Sequence, residues 1–328
     1  MDISCSFPTT LDTPDHVKIA EDLGYRRAWL YDTPQQSPDI WMALGLAAVK
    51  TERIELGPGV LIPSLRHPMV NAAGTAGLVA LAPGRVAIGF GTGFTGRRAM
   101  GYRSISWADT LHYIDAYTAL LRGETIEWEG AKMRMLHPDG SAPARPIEVP
   151  IILSAFGPRG TEITRERGYG LFAAPGTFPA GVFDWVAAIT FGTVREDGEV
   201  PHSERELAAV GAGWALNYHL AYEYGGPDAV KGMPGGEAWL AVVNEHPADE
   251  RHFAIHTNHL LAMNDADRAA WAAGGSVMLE QVTVTGTAAE VRSKVEGLGE
   301  MGITEIAYQP MGDNIPRELE RFIAAATR

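Results

Sequence analysis

Three short stretches of this 328-residue chain carry residues whose types and spacing suit chemistry. The first is Gly91-Thr92-Gly93, which follows the apolar run Val86 to Phe90. Glycines at a strand end let backbone come close to a ligand. The second is Ser154-Ala155-Phe156-Gly157-Pro158-Arg159. There a strand ends, Gly157 turns the chain, Pro158 sits at a helix start, and unpaired N–H groups point outward. That is an anion site by backbone geometry, with Arg159 adding charge. Either loop alone reads more readily as plain turn structure; two on one face put a phosphate-bearing cofactor level with that reading. The third stretch holds His252, His256 and His259, spaced i, i+4, i+7 on one face of a helix. A metal there requires ligands within bonding reach and supporting groups behind them. The spacing reads as a pocket wall or solvated face, so no metal is expected.

The elements that must position these residues alternate. Expected strands are residues 2–7, 27–31, 53–60, 85–91, 151–154, 170–173, 207–216 and 303–309. Helices fall between them, among them a segment from about Pro179 to Thr190. Pro14 and Gly24 bracket one helix, and His67-Pro68 opens another. Residues 125–135 alternate around Glu129-Gly130 and read as a β-hairpin excursion, with Trp128 and Glu129 in structural or subunit contacts. Eight strands alternating with helices over ~300 residues give an α/β fold, a (β/α)8 TIM barrel. A doubly wound sheet fits less well, because the first turn, Pro8-Thr9-Thr10, lacks glycine. The whole chain, 1–328, reads as a single barrel domain. Residues 218–285 fit the repeat worst and read as an elaborated connection after strand seven, a wall or lid over the substrate face with His256 or His259 turned inward.

Ligands bind at the C-terminal ends of barrel strands. The residues expected there include Asp32 and Thr33, Gly59 to Pro63, Gly91 to Phe94, Ser154 to Arg159, Ala173 to Gly176 (with Ala174), and Asn217 to His219. This set has no Schiff-base lysine, no paired carboxylates and no three-ligand metal group. It offers glycines, small hydroxyls, backbone amides and one acid. That suits a cofactor carrying its own reactivity.

A formal net charge of −13 argues against nucleic acid or an anionic membrane as a partner. The one cysteine, Cys5, excludes an intrachain disulfide and reads as a small core residue. There is no apolar run of membrane-spanning length and no signal-peptide pattern at MDISCSF, so a cytoplasmic protein with a small-molecule substrate is expected.

Several segments together resemble the bacterial luciferase-like flavin and deazaflavin oxidoreductases. They are Ala28 to Asp32 (AWLYD), Thr51 to Val60 (TERIELGPGV) with Arg66-His67-Pro68, Pro83 to Gly93 (PGRVAIGFGTG) and Ile151 to Pro158 (IILSAFGP). The chain is most similar to the branch containing methylenetetrahydromethanopterin reductase and F-420-dependent glucose-6-phosphate dehydrogenase. The matching segments cover most of 1–175 and 286–328; residues 176–285 match poorly. The resemblance implies coenzyme F-420, or alternatively FMN, over the C-terminal mouth, and a homodimer. It further implies a non-proline cis peptide at Gly59-Val60 behind the ring, Asp32 near the ring as a catalytic residue that orients or hydrogen-bonds it, and cofactor phosphate at Ser154 to Gly157; His256 and His259 are the other catalytic candidates. Replacing Gly157 with a β-branched residue is expected to obstruct that turn. Two positions depart from the sugar-phosphate dehydrogenase pattern: Thr33 stands for its histidine and Phe94 for its glutamate. The resulting expectation is an F-420-dependent oxidoreductase transferring hydride to or from a small organic substrate. The alternatives are an FMN-dependent monooxygenase and a non-catalytic flavin-binding protein.

Overall fold

Each barrel strand is short and divides its side chains between two cores. The computed structural model describes residues 1–327. Strands β1 (Asp2–Phe7), β2 (Arg27–Leu30), β3 (Glu55–Pro58) and β4 (Ile88–Gly91) precede a hairpin of β5 (Ile126–Trp128) and β6 (Ala131–Met133). Strands β7 (Ile151–Ser154), β8 (Gly170–Phe172), β9 (Val186–Phe191) and β10 (Glu305–Gln309) complete the set. Apart from the hairpin, the strands form one parallel sheet in the order β3-β2-β1-β10-β9-β8-β7-β4. Bridges Leu56↔Val86 and Leu61↔Phe90 join β3 to β4 and close it into a (β/α)8 barrel. Alternation places Cys5, Leu30, Ile88, Phe90, Leu153 and Tyr308 outward against the helices. Their neighbours Trp29, Ala87, Ile152, Phe172, Ala187 and Ala307 fill the interior.

The helices that follow the strands are α1 (Thr13–Leu23), α2 (Ile40–Lys50), α3 (Pro68–Leu81), α4 (Phe94–Arg98), α5 (Trp107–Arg122) and α6 (Pro158–Arg167). After β9 come α7 (Glu204–Lys231), α8 (Gly236–Asn244), α9 (Arg251–His256), α10 (Asp265–Ala272) and α11 (Leu279–Val282). Helices α12 (Ala288–Glu300) and α13 (Ile315–Thr327) flank β10. Local signals set many of these bounds. Asp39 caps α2, Thr287 and Glu290 form a capping box on α12, and Gly24 ends α1 in the left-handed region. The hairpin turn uses Glu129 and Gly130, both at positive φ, as a two-residue turn requires. Trp128 packs on His112, His67 and Tyr113, so the hairpin's contact is with α5 and the start of α3. No helix among the described residues is long and apolar enough to cross a membrane.

The seventh strand differs from expectation. Residues 207–216 are not a strand but lie inside α7, and β9 occupies part of the segment expected as a helix from Pro179 to Thr190. The reason is burial. Residues Ala209 to Ala215 are all buried, so this helix shows no amphipathic period and reads as a continuous apolar run. Its alanines favour helix, whereas β9 carries the β-branched Val186, Ile189 and Thr190. The elaborated connection therefore begins after Phe191 rather than at 218 and runs to Thr287. It has its own core of Trp214, Tyr218, Trp239, Val243 and Ile255. Gly226, at φ 75 and ψ −172, breaks α7 just before Pro227.

The barrel floor is polar and, apart from the unpartnered Arg27 Nε, closely paired. Arg27 pairs with Glu305 and Glu55, and its guanidinium lies 5.1 Å from the Trp29 ring and 4.8 Å from the Trp185 ring. Both indoles donate to Glu305, at 2.9 and 2.7 Å. A cavity of about 600 Å³ opens at this N-terminal end, lined by Arg27, Trp185 and Glu305. Glu305 thus accepts from three donors, Arg27, Trp29 and the partly buried Trp185. Glu305→Ala should lower unfolding free energy by about 3–5 kcal/mol, because it strips a buried charge of its main partner. Denaturant titration checks this, and a loss below about 1 kcal/mol would remove the floor's structural role.

Candidate active site

The barrel mouth is assembled from the segments after β2, β3, β4, β7 and β8. Asp32, one residue beyond Tyr31 at the end of β2, is 3% exposed. Its Oδ2 accepts from Arg66 Nη1 at 2.5 Å, while Arg66 Nη2 donates to Asp39 Oδ2 at 2.7 Å. Asp39 Oδ1 also accepts from the amides of Trp41 and Met42. Burial pushes the Asp32 carboxyl above its ordinary range, against the opposing pull of Arg66. Desolvation is the largest influence on Asp39 too and acts upward, but the hydrogen bond and charge of Arg66 together with the Met42 and Trp41 amides outweigh it, and the net direction is down. The Arg66 carbonyl accepts from Tyr113 Oη at 2.9 Å, Tyr113 Oη accepts from Asn71 Nδ2, and Asn71 Oδ1 accepts from Trp41 Nε1. One network therefore links the ends of β2 and β3 to α2, α3 and α5. Arg66 was legible only as part of the Arg66-His67-Pro68 resemblance, and Asn71 and Tyr113 gave no signal beyond helical periodicity.

The Gly59-Val60 peptide is cis, as the resemblance implied. A Cβ on Gly59 would lie 2.9 Å from Trp29 Cβ, and one on Gly89 or Gly91 would lie 2.7 Å from a Val60 methyl. Gly91 is thus a glycine because Val60 fills the space beside it. Thr92 is half-buried, and its carbonyl accepts from Ile105 N at 2.9 Å. Gly93, at φ 90, turns the chain into α4. A Cβ on Gly96 would meet Ile62 at 2.3 Å and the Asp32 carbonyl at 3.1 Å, so α4 lies directly on the Asp32 segment.

At the fifth loop, Ala155 is buried, Phe156 is 53% exposed, and Gly157 precedes Pro158 as the N-cap of α6 with no side-chain cap. The first-turn amides of Arg159 and Gly160 have no intrahelical acceptor by position. The Arg159 side chain is exposed and pairs with Glu162 at 3.1 Å. The expectation that a β-branched residue at Gly157 obstructs the turn is corrected. Its φ of −137 and ψ of 162 are extended backbone, and an added Cβ meets nothing within 4 Å. The constrained glycine is Gly160, where a Cβ would lie 2.4 Å from Trp107 and 2.7 Å from Ala155. Ala174 lies in the loop after β8, its carbonyl accepting from Thr177.

The histidines are arranged differently from the expected helical face. Helix α9 stops at His256, and Asn258 and Leu260 at φ 58 and 61 turn the chain around His259. His252 packs on Phe253 and beside Gly101 and is not part of the three-histidine group. His256 and His259 instead meet His219 of α7, and all three are 4% exposed or less. This corrects the expectation that the mouth region lacks a three-ligand group, and it corrects the picture of His256 or His259 facing an open pocket. His219 Nδ1 lies 2.6 Å from His259 Nδ1, and its Nε2 lies 3.0 Å from Asp267 Oδ1. His256 Nε2 is 2.9 Å from Glu223 Oε1, which Arg98 of α4 pairs at 2.6 Å through the other oxygen. His259 Nε2 is 3.1 Å from Thr95 Oγ1. Burial holds His256 below the ordinary imidazole range and His259 well below it. The Phe94 ring stacks on Tyr224 at 5.4 Å and lies 6.4 Å from the rings of both His256 and His259. The cluster is therefore packed against α4, which borders the mouth.

Similarity to known proteins covers nearly the whole barrel. The 5,10-methylenetetrahydromethanopterin reductase of Methanolobus tindarius is 26% identical over 318 residues, 91% of this chain and 90% of that protein. The F-420-dependent glucose-6-phosphate dehydrogenase of Beutenbergia cavernae is 32% identical over 174 residues, 48% of this chain and 51% of that protein. The solved coenzyme F-420 dependent tetrahydromethanopterin reductase from Methanopyrus kandleri superposes with a TM-score of 0.68 at 19% identity, covering 98% and 97% of the two chains, and so shares the fold. A family model described as luciferase-like monooxygenase matches residues 8–305. The chain belongs to this luciferase-like family of oxidoreductase enzymes.

Proposed function

We propose that the protein is an F-420-dependent oxidoreductase that passes hydride between the deazaflavin and a small organic substrate. The observation that carries this reading is the similarity to the methanopterin reductase, which runs almost from end to end. The mouth fits such a group. The amides of Arg159 and Gly160 stand free at the start of α6, and the space above Gly157 is open, which suits a phosphate. When bound, the deazaflavin supplies the hydride chemistry at its own ring. The chain supplies the frame. Val60 presents a fixed apolar surface at the mouth, Asp32 holds Arg66 and the segment after β3, and α4 carries Phe94 to the rim.

Sugar-phosphate oxidation is not proposed. Thr33 Oγ1 lies 3.0 Å from Ser37 Oγ, and Phe94 stacks on Tyr224. Asp32 is tied to Arg66, so no free acid–base pair stands at these positions.

Two measurements check this. Titrating the purified protein with F-420 and FMN in parallel, followed by fluorescence, should give the tighter binding with F-420. Tighter FMN binding, with oxygen consumed once the flavin is reduced, would make the protein a monooxygenase; binding without turnover of any carbonyl, alcohol or imine substrate would make it a carrier. In the second, Gly157→Val should fold with an unchanged thermal midpoint yet bind the cofactor roughly tenfold more weakly, by covering amides that hydrogen-bond a charged group. Gly160→Val should lose about 1–3 kcal/mol of stability through overpacking against Trp107. Equal cofactor affinity in Gly157→Val would move the phosphate elsewhere.

A further inference from the structure

We infer that His219, His256 and His259 form a buried zinc-type metal centre that pins the connection after β9 to helix α4. One ring nitrogen from each of the three lies within 4.8 Å of the other two, all inside the protein. Each ring also turns its Nε2 to a protein oxygen: His219 to Asp267, His256 to Glu223 and His259 to Thr95. The Nδ1 atoms are thereby left for the centre. This is how metal-binding imidazoles are held, with an outer hydrogen bond fixing tautomer and orientation. The outer oxygens are themselves anchored. Asp267 accepts from Trp239 Nε1 at 2.9 Å and from the Asn264 amide at 3.0 Å, and Glu223 pairs with Arg98.

Two further observations ask for a cation. His256 Nδ1 is buried with no hydrogen-bond partner, although most buried side-chain polar atoms have one. Asp267 is 1% exposed, and among the described residues it pairs with no lysine or arginine, only with His219. A buried carboxylate without a compensating charge is costly. A divalent ion on His219 supplies that charge through the ring.

The 2.6 Å approach of His219 Nδ1 to His259 Nδ1 admits two fillings, because two bare lone pairs repel at that distance. A proton between them gives a chain from Thr95 through His259 and His219 to Asp267. That chain leaves His256 Nδ1 orphaned. A metal satisfies all three nitrogens, with the His219 and His259 nitrogens parting to about 3.3 Å, the separation set by tetrahedral Zn–N bonds of ~2.0–2.1 Å. Three neutral imidazoles suit zinc, with nickel, cobalt and copper competing on the same donors. Water is the fourth ligand. The ligands come from α7, the last residue of α9 and the turn after it, and Thr95 and Arg98 tie the outer groups to α4. The inference does not depend on which cofactor the mouth takes.

The test uses full-length protein without a histidine tag, grown with zinc and purified without chelator. Elemental analysis should find about one zinc per chain. After chelation and dialysis, added Co²⁺ should give the visible d–d bands of a four-coordinate site, and added Zn²⁺ should raise the thermal midpoint. His256→Ala should drop bound metal to roughly a tenth, and Glu223→Gln should weaken Zn²⁺ binding about tenfold to a hundredfold while the chain stays folded. Wild-type protein that is folded, metal-free, and unaltered in midpoint and spectrum by Zn²⁺ or Co²⁺ would overturn the inference and leave the proton chain. Full retention of metal by His256→Ala would overturn the ligand set.

Discussion

The buried pair between Asp32 and Arg66 governs what the barrel mouth can do. Asp32 is the acid just past β2, and Arg66 arrives from the segment between β3 and α3. Breaking such a pair by removing one partner costs about 3–5 kcal/mol, because the other charge is left buried. The pair also draws Asp39, the N-cap of α2, and through the Arg66 carbonyl reaches Tyr113 and Asn71. A carboxylate committed in this way is poorly placed to shuttle protons. The mouth is left with backbone amides, small side chains and aromatic surfaces, which orient a reactive cofactor rather than replace one.

The second organising constraint is the way the long connection after β9 is fastened. Gln309 Nε2 donates to the Leu260 carbonyl at 2.7 Å, and Gln309 Oε1 accepts from Tyr31 at 2.7 Å. This joins the barrel's interior top to the turn that carries His259. On the other side α4 contributes Thr95 and Arg98 to the outer ring of the histidine cluster. The same short helix packs on the Asp32 carbonyl through Gly96. Helix α4 is therefore held from both sides, by the mouth and by the connection, and the position of Phe94 follows from that.

Much of this was readable in the residues. Repeating apolar runs and capping signals located seven of the eight barrel strands, and Glu129-Gly130 announced the hairpin turn. The eighth was missed for a physical reason. A helix buried on every side, such as Ala209 to Ala215, has no polar stripe, so its period is invisible and the run resembles a strand. The histidine cluster was half visible. His256 and His259 stood out by spacing, but His219 lies 40 residues from His259 and only the tertiary fold brings it near. Gly157 and Gly160 illustrate the same limit. Both sit at the start of α6, Gly157 as its N-cap and Gly160 in its first turn, and only the packing of Trp107 reveals which one needs to be glycine.

A crystal structure of the protein soaked with F-420 tests the central claim most directly. The expected result places the deazaflavin against Val60 at the C-terminal mouth, with a phosphate oxygen within hydrogen-bonding distance of the Arg159 or Gly160 amide and the Asp32–Arg66 pair intact. Cofactor density in the cavity at the Arg27–Glu305 floor, or a phosphate away from the start of α6, would contradict it.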